Sequence, residues 1–122
     1  MMTGPAVRRV YPGEHGELEA AAGELLAASA HSSLDVEAVF HVLVRFVPNL
    51  EARRAGFVER HSGSVWFRVA DLVKDLRLAQ DLYRRSGSAT PLTRAAHDVF
   101  TRAAPDHGEL DTPAVAEIFC DT

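Results

Sequence analysis

The residues best suited to chemistry lie in one short segment, residues 66–81, around the only lysine of the chain. Lys74 stands among twelve arginines, and Asp71 and Asp75 flank it. An ammonium group differs from a guanidinium because it is compact and its pKa responds readily to its surroundings. An ammonium beside carboxylates can hold an anionic or carbonyl oxygen while a carboxylate orients it or moves a proton. This segment is therefore the first candidate for a functional site.

The spacing of the polar residues in this segment places them on one side of a helix. Five side chains recur at i, i+4, i+7, i+8 and i+11, namely Phe67, Asp71, Lys74, Asp75 and Leu78. The functional interpretation is a pocket wall in which Lys74 and Asp75 are catalytic and Asp71 lines the substrate pocket. The alternative is a solvated face in which Asp71 and Lys74 form an ion pair worth about 0.2–0.5 kcal/mol. Periodicity alone favours the solvated face.

Other chemical motifs are missing from the sequence. The six histidines include no His-Glu-x-x-His motif and no pair at i,i+4, and no cysteine cluster accompanies them, so we expect no metal site. The sequence also has no P-loop, no Gly-x-Gly-x-x-Gly and no Gly-x-Ser-x-Gly. Autonomous nucleotide binding and nucleophilic hydrolysis therefore have no support from motifs.

Composition and charge restrict the class of protein. With 122 residues, 47% of them hydrophobic and 25% charged, the chain has the composition of one globular domain. Its net charge of -4 gives no general attraction for polyanions, so we expect neither a nucleic-acid nor a membrane partner. Cys120 is the only cysteine, and no apolar segment follows the N-terminal arginines. These features are typical of a cytoplasmic protein.

Start signals and apolar spacing predict helices in the first half of the chain. Residues 1–16 are rich in glycine and proline and are predicted to be a loose leader before a helical domain at 17–122. The first helix is expected to turn inward Leu18, Ala22, Leu25, Leu26 and Ser29. Asp35 is placed to cap a second helix, whose expected inward side chains are Val36, Val39, Phe40, Leu43 and Val44. A third helix is expected from Asn49 to about Arg60, weakened by Gly56.

The second half of the chain continues the helical pattern. The fourth helix has the longest stripe and is expected to end at Gly87, with inward residues Val69, Leu72, Val73, Leu76, Ala79 and Tyr83. Thr90 followed by proline is a start signal for a fifth helix, and the segment from Pro105 to Gly108 is expected to end it. The expected inward residues of this helix are Leu92, Ala95, Ala96, Val99 and Phe100. Thr112 and Pro113 repeat that signal for a short last helix. The sequence therefore predicts a single all-α domain of five to six helices.

The order of these motifs resembles the C-terminal helical domain of the β-hydroxyacid dehydrogenases of the 3-hydroxyisobutyrate type, a domain like the C-terminal one of 6-phosphogluconate dehydrogenase. The matching segments are Gly-Glu-Leu-Leu-Ala-Ala-Ser-Ala at 23–30, Ser-Leu-Asp-Val-Glu-Ala at 33–38, Leu-Val-Lys-Asp-Leu-Arg-Leu-Ala at 72–79, Gly-Ser-Ala-Thr-Pro-Leu at 87–92 and His-Gly-Glu-Leu-Asp-Thr-Pro-Ala-Val at 107–115. Together they cover about four-fifths of the chain. The resemblance implies that Phe67, Lys74 and Asp75 line an active-site cleft near a nicotinamide, with Phe67 and Lys74 as cofactor-binding residues, and it implies a homodimer.

The chain also departs from that family's pattern. The Rossmann domain and its phosphate-binding glycine loop are absent from this sequence. The family's catalytic lysine would fall near Arg8 or Arg9, where the sequence has no lysine. We therefore expect no complete dehydrogenase: no cofactor is required, and NAD(P) is a possible ligand without a complete site.

Three classes of function follow from these observations. The favoured one is a stand-alone helical domain, related to oxidoreductases, that binds a small ligand, a nicotinamide cofactor or a separate Rossmann-domain protein. The alternative is a repurposed cofactor-free enzyme, such as an isomerase, cyclase or lyase, with a pocket at a dimer interface. A nucleic-acid interaction module based on the arginine pairs ranks last because the chain is acidic.

Overall fold

The chain folds into helices where start signals precede apolar residues at helical spacing. The computed structural model describes residues 16–60 and 65–120, so nearly all of the predicted leader lies outside the described residues. Within these two ranges, six α-helices and two 3₁₀ helices follow in order: α1 (Gly16–His31), α2 (Val36–Phe46), a 3₁₀ helix (Pro48–Arg53), α3 (Arg54–Phe57), α4 (Val69–Arg85), α5 (Pro91–His107), a second 3₁₀ helix (Thr112–Ala116) and α6 (Glu117–Cys120). The described residues form no strand, which confirms the predicted all-α class.

Two apolar clusters hold these helices together. The first lies between α4, α5, α1 and the second 3₁₀ helix and consists of Ala20, Val69, Leu72, Leu76, Ala96, Phe100, Ala103 and Val115. The second lies under α2 and consists of Ala22, Leu26, Phe40, Leu50 and Phe57. Each fully buried large side chain contributes about 1.5–3 kcal/mol to folding. Helix α1 contributes to both clusters and joins them.

Helix α4 is fixed at both ends by backbone hydrogen bonds. At its start the amides of Val69 and Ala70 donate to the carbonyl oxygens of Leu110 and Gly108, at 2.9 and 3.0 Å. At its end Gly87 has a φ of +77°, and its amide donates to the carbonyl of Arg84. A left-handed residue at this position is the usual glycine cap. The predicted cap at Gly87 is confirmed.

The predicted inward faces need correction on two helices. On α1, Leu18 and Leu25 are 43% and 45% exposed rather than inward, whereas the remaining predicted inward residues are buried. On α5, Leu92 is 75% exposed and Ala95 is exposed as well, and the buried residues are Thr93, Ala96, Phe100 and Ala103. The first turn of α5 faces α1 through Thr93, whose hydroxyl donates to Glu17 Oε1 at 3.0 Å. The side of this turn away from α1 carries Leu92.

Two predicted boundaries also differ from the structure. The predicted third helix begins at Pro48 as a 3₁₀ helix and then continues as the short α3. The start lies at Pro48 because proline favours the first helical position. Helix α5 ends at His107, inside the predicted closing segment, but Pro105 itself lies within the helix. Pro105 has no amide hydrogen to donate to the carbonyl of Thr101, and the helix continues only to His107 after it. None of the helices in the described ranges is both long and apolar enough to cross a membrane.

Candidate functional site

The outer face of α4 carries most of the predicted site. Lys74 is exposed, Asp71 and Asp75 are half-buried, and Leu78 is 58% exposed. Helix α4 begins at Val69, so Phe67 does not lie on the helix as the spacing predicted. It lies in the extended segment that leads into the helix, and its side chain is half-buried against the first apolar cluster.

The segment before α4 is held in place by one carboxylate. Asp111 Oδ1 accepts hydrogen bonds from the backbone amides of Trp66 and Phe67, both at 2.9 Å. Arg68 and Asp111 also form an isolated antiparallel β-bridge. Hydrogen bonds to an ionised carboxylate are among the stronger ones in proteins. Asp111 therefore fixes the position of Phe67 relative to the helix that carries Lys74.

Asp71 is engaged by an arginine. Arg68 Nε and Nη2 donate to the two carboxylate oxygens of Asp71, each at 3.0 Å, and Arg68 Nη1 donates to Glu109 Oε1 at 2.8 Å. The hydrogen bonds from Arg68 hold the pKa of Asp71 below its ordinary value. The two acidic partners raise the pKa of Arg68, with Asp71 as the main cause. The ion pair predicted between Asp71 and Lys74 is thus replaced by a bidentate pair with Arg68.

The pKa of Asp75 is shifted in the opposite direction to that of Asp71. Partial burial raises the pKa of its carboxyl group above the ordinary value, the nearby Lys74 opposes that rise, and the charge of Asp71 adds to it. Burial disfavours the charged form of a carboxylate, which explains the direction. Of the two carboxylates, Asp71 is held ionised, whereas Asp75 more readily keeps or exchanges a proton. Such a separation of pKa values suits a site with one structural and one reactive carboxyl group.

The chemistry of the side chains limits which groups this face could bind. Within residues 16–60 and 65–120, no group of three or more His, Cys, Asp or Glu side chains could hold a metal ion. An ammonium, a carboxyl and an aromatic ring fit the polar groups and the flat ring of a nicotinamide. Lys74 is exposed, so the described residues do not enclose it in a pocket.

A buried ion network beside the site was not predicted from the sequence. The Glu19 side chain is only 5% exposed, and its Oε1 lies 2.8 Å from Arg53 Nε and accepts a hydrogen bond from the Thr112 hydroxyl at 2.8 Å. Arg53 Nη1 donates to Asp111 Oδ2 at 2.7 Å. One signal was available, because Glu19 stands three and seven residues before the inward Ala22 and Leu26. Its partners are too distant in sequence for periodicity to find.

Comparison with known proteins gives a consistent assignment. Residues 18–119 match the family described as NAD-binding of NADP-dependent 3-hydroxyisobutyrate dehydrogenase. A search of curated proteins found no match. The fold is similar to that of 3-hydroxyisobutyrate dehydrogenase from Salmonella typhimurium, with a TM-score of 0.81 and 26% identity over 93% of this chain. It is also similar to the enzyme from Mycobacterium tuberculosis, in a structure with L-serine, with a TM-score of 0.74 and 22% identity over 93% of this chain.

The structural matches cover nearly all of this chain but only part of each related enzyme. This chain spans 41% of the Salmonella enzyme and 42% of the Mycobacterium enzyme, so it corresponds to less than half of either. The family match covers residues 18–119 and includes every residue of the candidate site. The predicted relationship to 3-hydroxyisobutyrate dehydrogenases is confirmed. The chain belongs to the family described as the NAD-binding domain of NADP-dependent 3-hydroxyisobutyrate dehydrogenase.

Proposed function

We propose that this chain is a helical domain that supplies one wall of a nicotinamide-binding site and works with a Rossmann domain on a small hydroxy acid. The observation that carries the proposal is the exposed Lys74 next in sequence to the half-buried Asp75 on α4, a helix whose leading segment, with Phe67, is held by Asp111. These residues lie in the segment that matches a family described as NAD-binding.

Each residue of the wall has a distinct role in this proposal. Phe67 packs against the flat face of the nicotinamide. Lys74 holds a carbonyl, hydroxyl or carboxylate oxygen of the substrate through its ammonium group. Asp75 orients that oxygen or exchanges a proton with it, since its raised pKa favours the protonated form more than an ordinary aspartate does. Asp71 keeps Arg68 in position and lines the pocket. The cofactor, when bound, supplies or accepts the hydride.

The solvent-exposed face of α4 supports a role for a protein partner. Two further leucines continue the line of Lys74 along α4, with Leu78 58% and Leu82 42% exposed. An apolar strip beside polar groups is typical of a surface that another protein covers. We infer that a Rossmann-domain protein covers the α4 face and that a second copy of this chain pairs with the domain elsewhere.

The experiment joins residues 18–119 to the nucleotide-binding half of a 3-hydroxyisobutyrate dehydrogenase, with the segment that carries that enzyme's own catalytic lysine kept and the rest of its helical part replaced. We expect hydride transfer that falls by about 100-fold or more in Lys74→Ala, which is the usual effect of losing a group that stabilises charge during the reaction. Arg77→Ala is the matched control, because Arg77 is an exposed cation on the same helix. A folded fusion that binds NADPH and keeps its activity in Lys74→Ala would overturn the proposal.

A second candidate function is a cofactor-free enzyme with its pocket between two copies of the chain. The raised pKa of Asp75 next to an ammonium favours it, because an acid and base pair can act without a cofactor. Lys74 is exposed on a single chain, so this candidate requires a second copy to enclose it. Light scattering combined with acetylation of Lys74 separates the two. A dimer in which Lys74 resists acetylation supports the candidate, and ordinary reactivity argues against it.

A further inference from the structure

A groove lies between the start of α1, the first 3₁₀ helix and the segment before α4. Its volume is about 620 Å³, and its apolar lining includes Leu18, Val47, Pro48 and Leu50. Small-molecule sites usually occupy about 300–1,000 Å³ and combine apolar walls with a few polar groups. The groove therefore has the size and the lining of a ligand site. It shares no lining residue with Phe67, Lys74 and Asp75.

The only tryptophan of the chain stands at this groove. Trp66 is 68% exposed, although the next residue, Phe67, packs against the core. Its backbone amide donates to Asp111 Oδ1 at 2.9 Å, which fixes the backbone from which the indole projects. The Arg53 guanidinium carbon lies 5.8 Å from the centre of the indole ring. An exposed and anchored indole offers a face to a cation or to a flat ring.

The charges around the groove favour a cation over an anion. The Arg53 guanidinium is already paired with Glu19 at 2.8 Å and with Asp111 at 2.7 Å. A third carboxylate, Glu51, stands on the groove wall and is exposed. Among the described residues that line or adjoin the groove, these three carboxylates outnumber the one guanidinium. A negative surface beside an aromatic face attracts positively charged ligands and repels anions.

We propose that the groove beside Trp66 binds a small organic cation, an amine that carries a flat or apolar body. The ring of the ligand lies against Trp66 and the apolar wall, and its ammonium group lies near Glu51. This site is separate from the α4 face, so it does not depend on the function proposed for Lys74. A ligand bound against Trp66 would contact the segment that leads into α4 and could change the position of that segment.

Fluorescence of Trp66 gives a direct test, because it is the only tryptophan of the chain. The probes are phenethylammonium, the neutral 2-phenylethanol and the anion phenylacetate, which share a ring and differ in charge. We expect a saturable change with the ammonium probe that is several times stronger than with the alcohol, and none with the anion. Phenylacetate or the alcohol binding as tightly as the amine would overturn the proposal, as would no saturation by the amine at millimolar concentrations.

Three variants complete the test. Glu51→Gln is expected to weaken binding of phenethylammonium by about threefold or more, the effect of one exposed charge pair. Glu24→Gln, an exposed carboxylate on α1 outside the groove, is expected to leave binding unchanged. Lys74→Ala is also expected to leave it unchanged, which separates this site from the nicotinamide wall. Equal affinity in wild type and Glu51→Gln would contradict the assignment.

Discussion

Arg53 joins Glu19 to Asp111 across the fold, with Nε 2.8 Å from Glu19 Oε1 and Nη1 2.7 Å from Asp111 Oδ2. The three residues come from α1, the first 3₁₀ helix and the turn before the second 3₁₀ helix. Asp111 also accepts the amides of Trp66 and Phe67, so the same network reaches the segment in front of α4. One arginine thus connects the packing of α1 to the position of the candidate site.

Removal of Arg53 should destabilise the fold strongly. Arg53→Met removes a cation that lies 2.8 Å from the buried Glu19 carboxylate, and breaking a buried pair in this way costs about 3–5 kcal/mol. Arg54→Met is the control, because Arg54 pairs with the exposed Glu37 and such pairs contribute about 0–1 kcal/mol. Urea unfolding of both variants measures the two losses. Equal losses would show that the Arg53 network does not stabilise the fold more than a surface pair.

Asp111 should control the position of Phe67. Asp111→Ala removes the acceptor of two backbone amides and the partner of Arg53, so we expect a loss of about 1–3 kcal/mol in stability. Hydrogen exchange should speed up most at the amides of Trp66 and Phe67. Asp106→Ala, an exposed carboxylate in the last turn of α5, should leave both amides unchanged. Unaltered protection of the two amides in Asp111→Ala would contradict the assigned role.

Gly56 should resist substitution because of a close approach. A Cβ atom at this position would lie 2.6 Å from Pro113 Cβ and 2.9 Å from Pro113 Cγ. Gly56→Ala should therefore destabilise the protein by about 1–3 kcal/mol, as overpacking does, although alanine is the better helix former. Pro113→Gly, which removes both of these atoms, should partly rescue Gly56→Ala in thermal melts. Gly87→Ala is the comparison. No atom lies within 4 Å of a Cβ added at Gly87, so any destabilisation there comes from the φ of +77° and not from a steric clash. Rescue of both glycine variants, or of neither, would count against a steric cause at Gly56.

Asp71 and Asp75 should affect stability with opposite dependence on pH. The folded pKa of Asp71 lies below its ordinary 3.8, so its ionised form stabilises the fold above that pH, and the contribution is lost as the pH falls through the folded pKa. The folded pKa of Asp75 lies above 3.8, so its ionised form opposes folding once the pH exceeds the folded pKa. Asp71→Asn should lower the melting temperature at neutral pH and Asp75→Asn should raise it.

Both differences should shrink in acid, where the wild-type carboxyl groups are themselves protonated. Thermal melts of the three proteins between neutral and strongly acidic pH measure this directly. Glu51→Asn, a change at an exposed carboxylate on the first 3₁₀ helix, controls for the loss of one surface charge. Shifts of the same sign in Asp71→Asn and Asp75→Asn would contradict the assigned pKa directions.

The elements that sequence reasoning predicted well are those with strong local signals. Gly87 and the start at Pro91 depend on backbone preferences of single residues, and both are found where expected. The sequence did not predict that Leu92 is exposed or that Glu19 is buried, and the reason is the same for both. Burial there depends on which helix lies across, and contacts such as Glu19 with Arg53 join residues far apart in the chain. Helical spacing correctly placed Asp71, Lys74 and Asp75 on α4, but it did not predict that Phe67 lies before the helix. The choice of Arg68 as the partner of Asp71 was not predictable either.

The central claim is that the α4 face is one wall of a nicotinamide site, and NADPH titration followed by amide NMR shifts tests it most directly. We predict saturable shifts concentrated at Phe67 and residues 71–78, absent in Lys74→Ala and preserved in Arg77→Ala. Shifts that are identical in wild type and Lys74→Ala, or no saturable shift at millimolar NADPH, would contradict the claim.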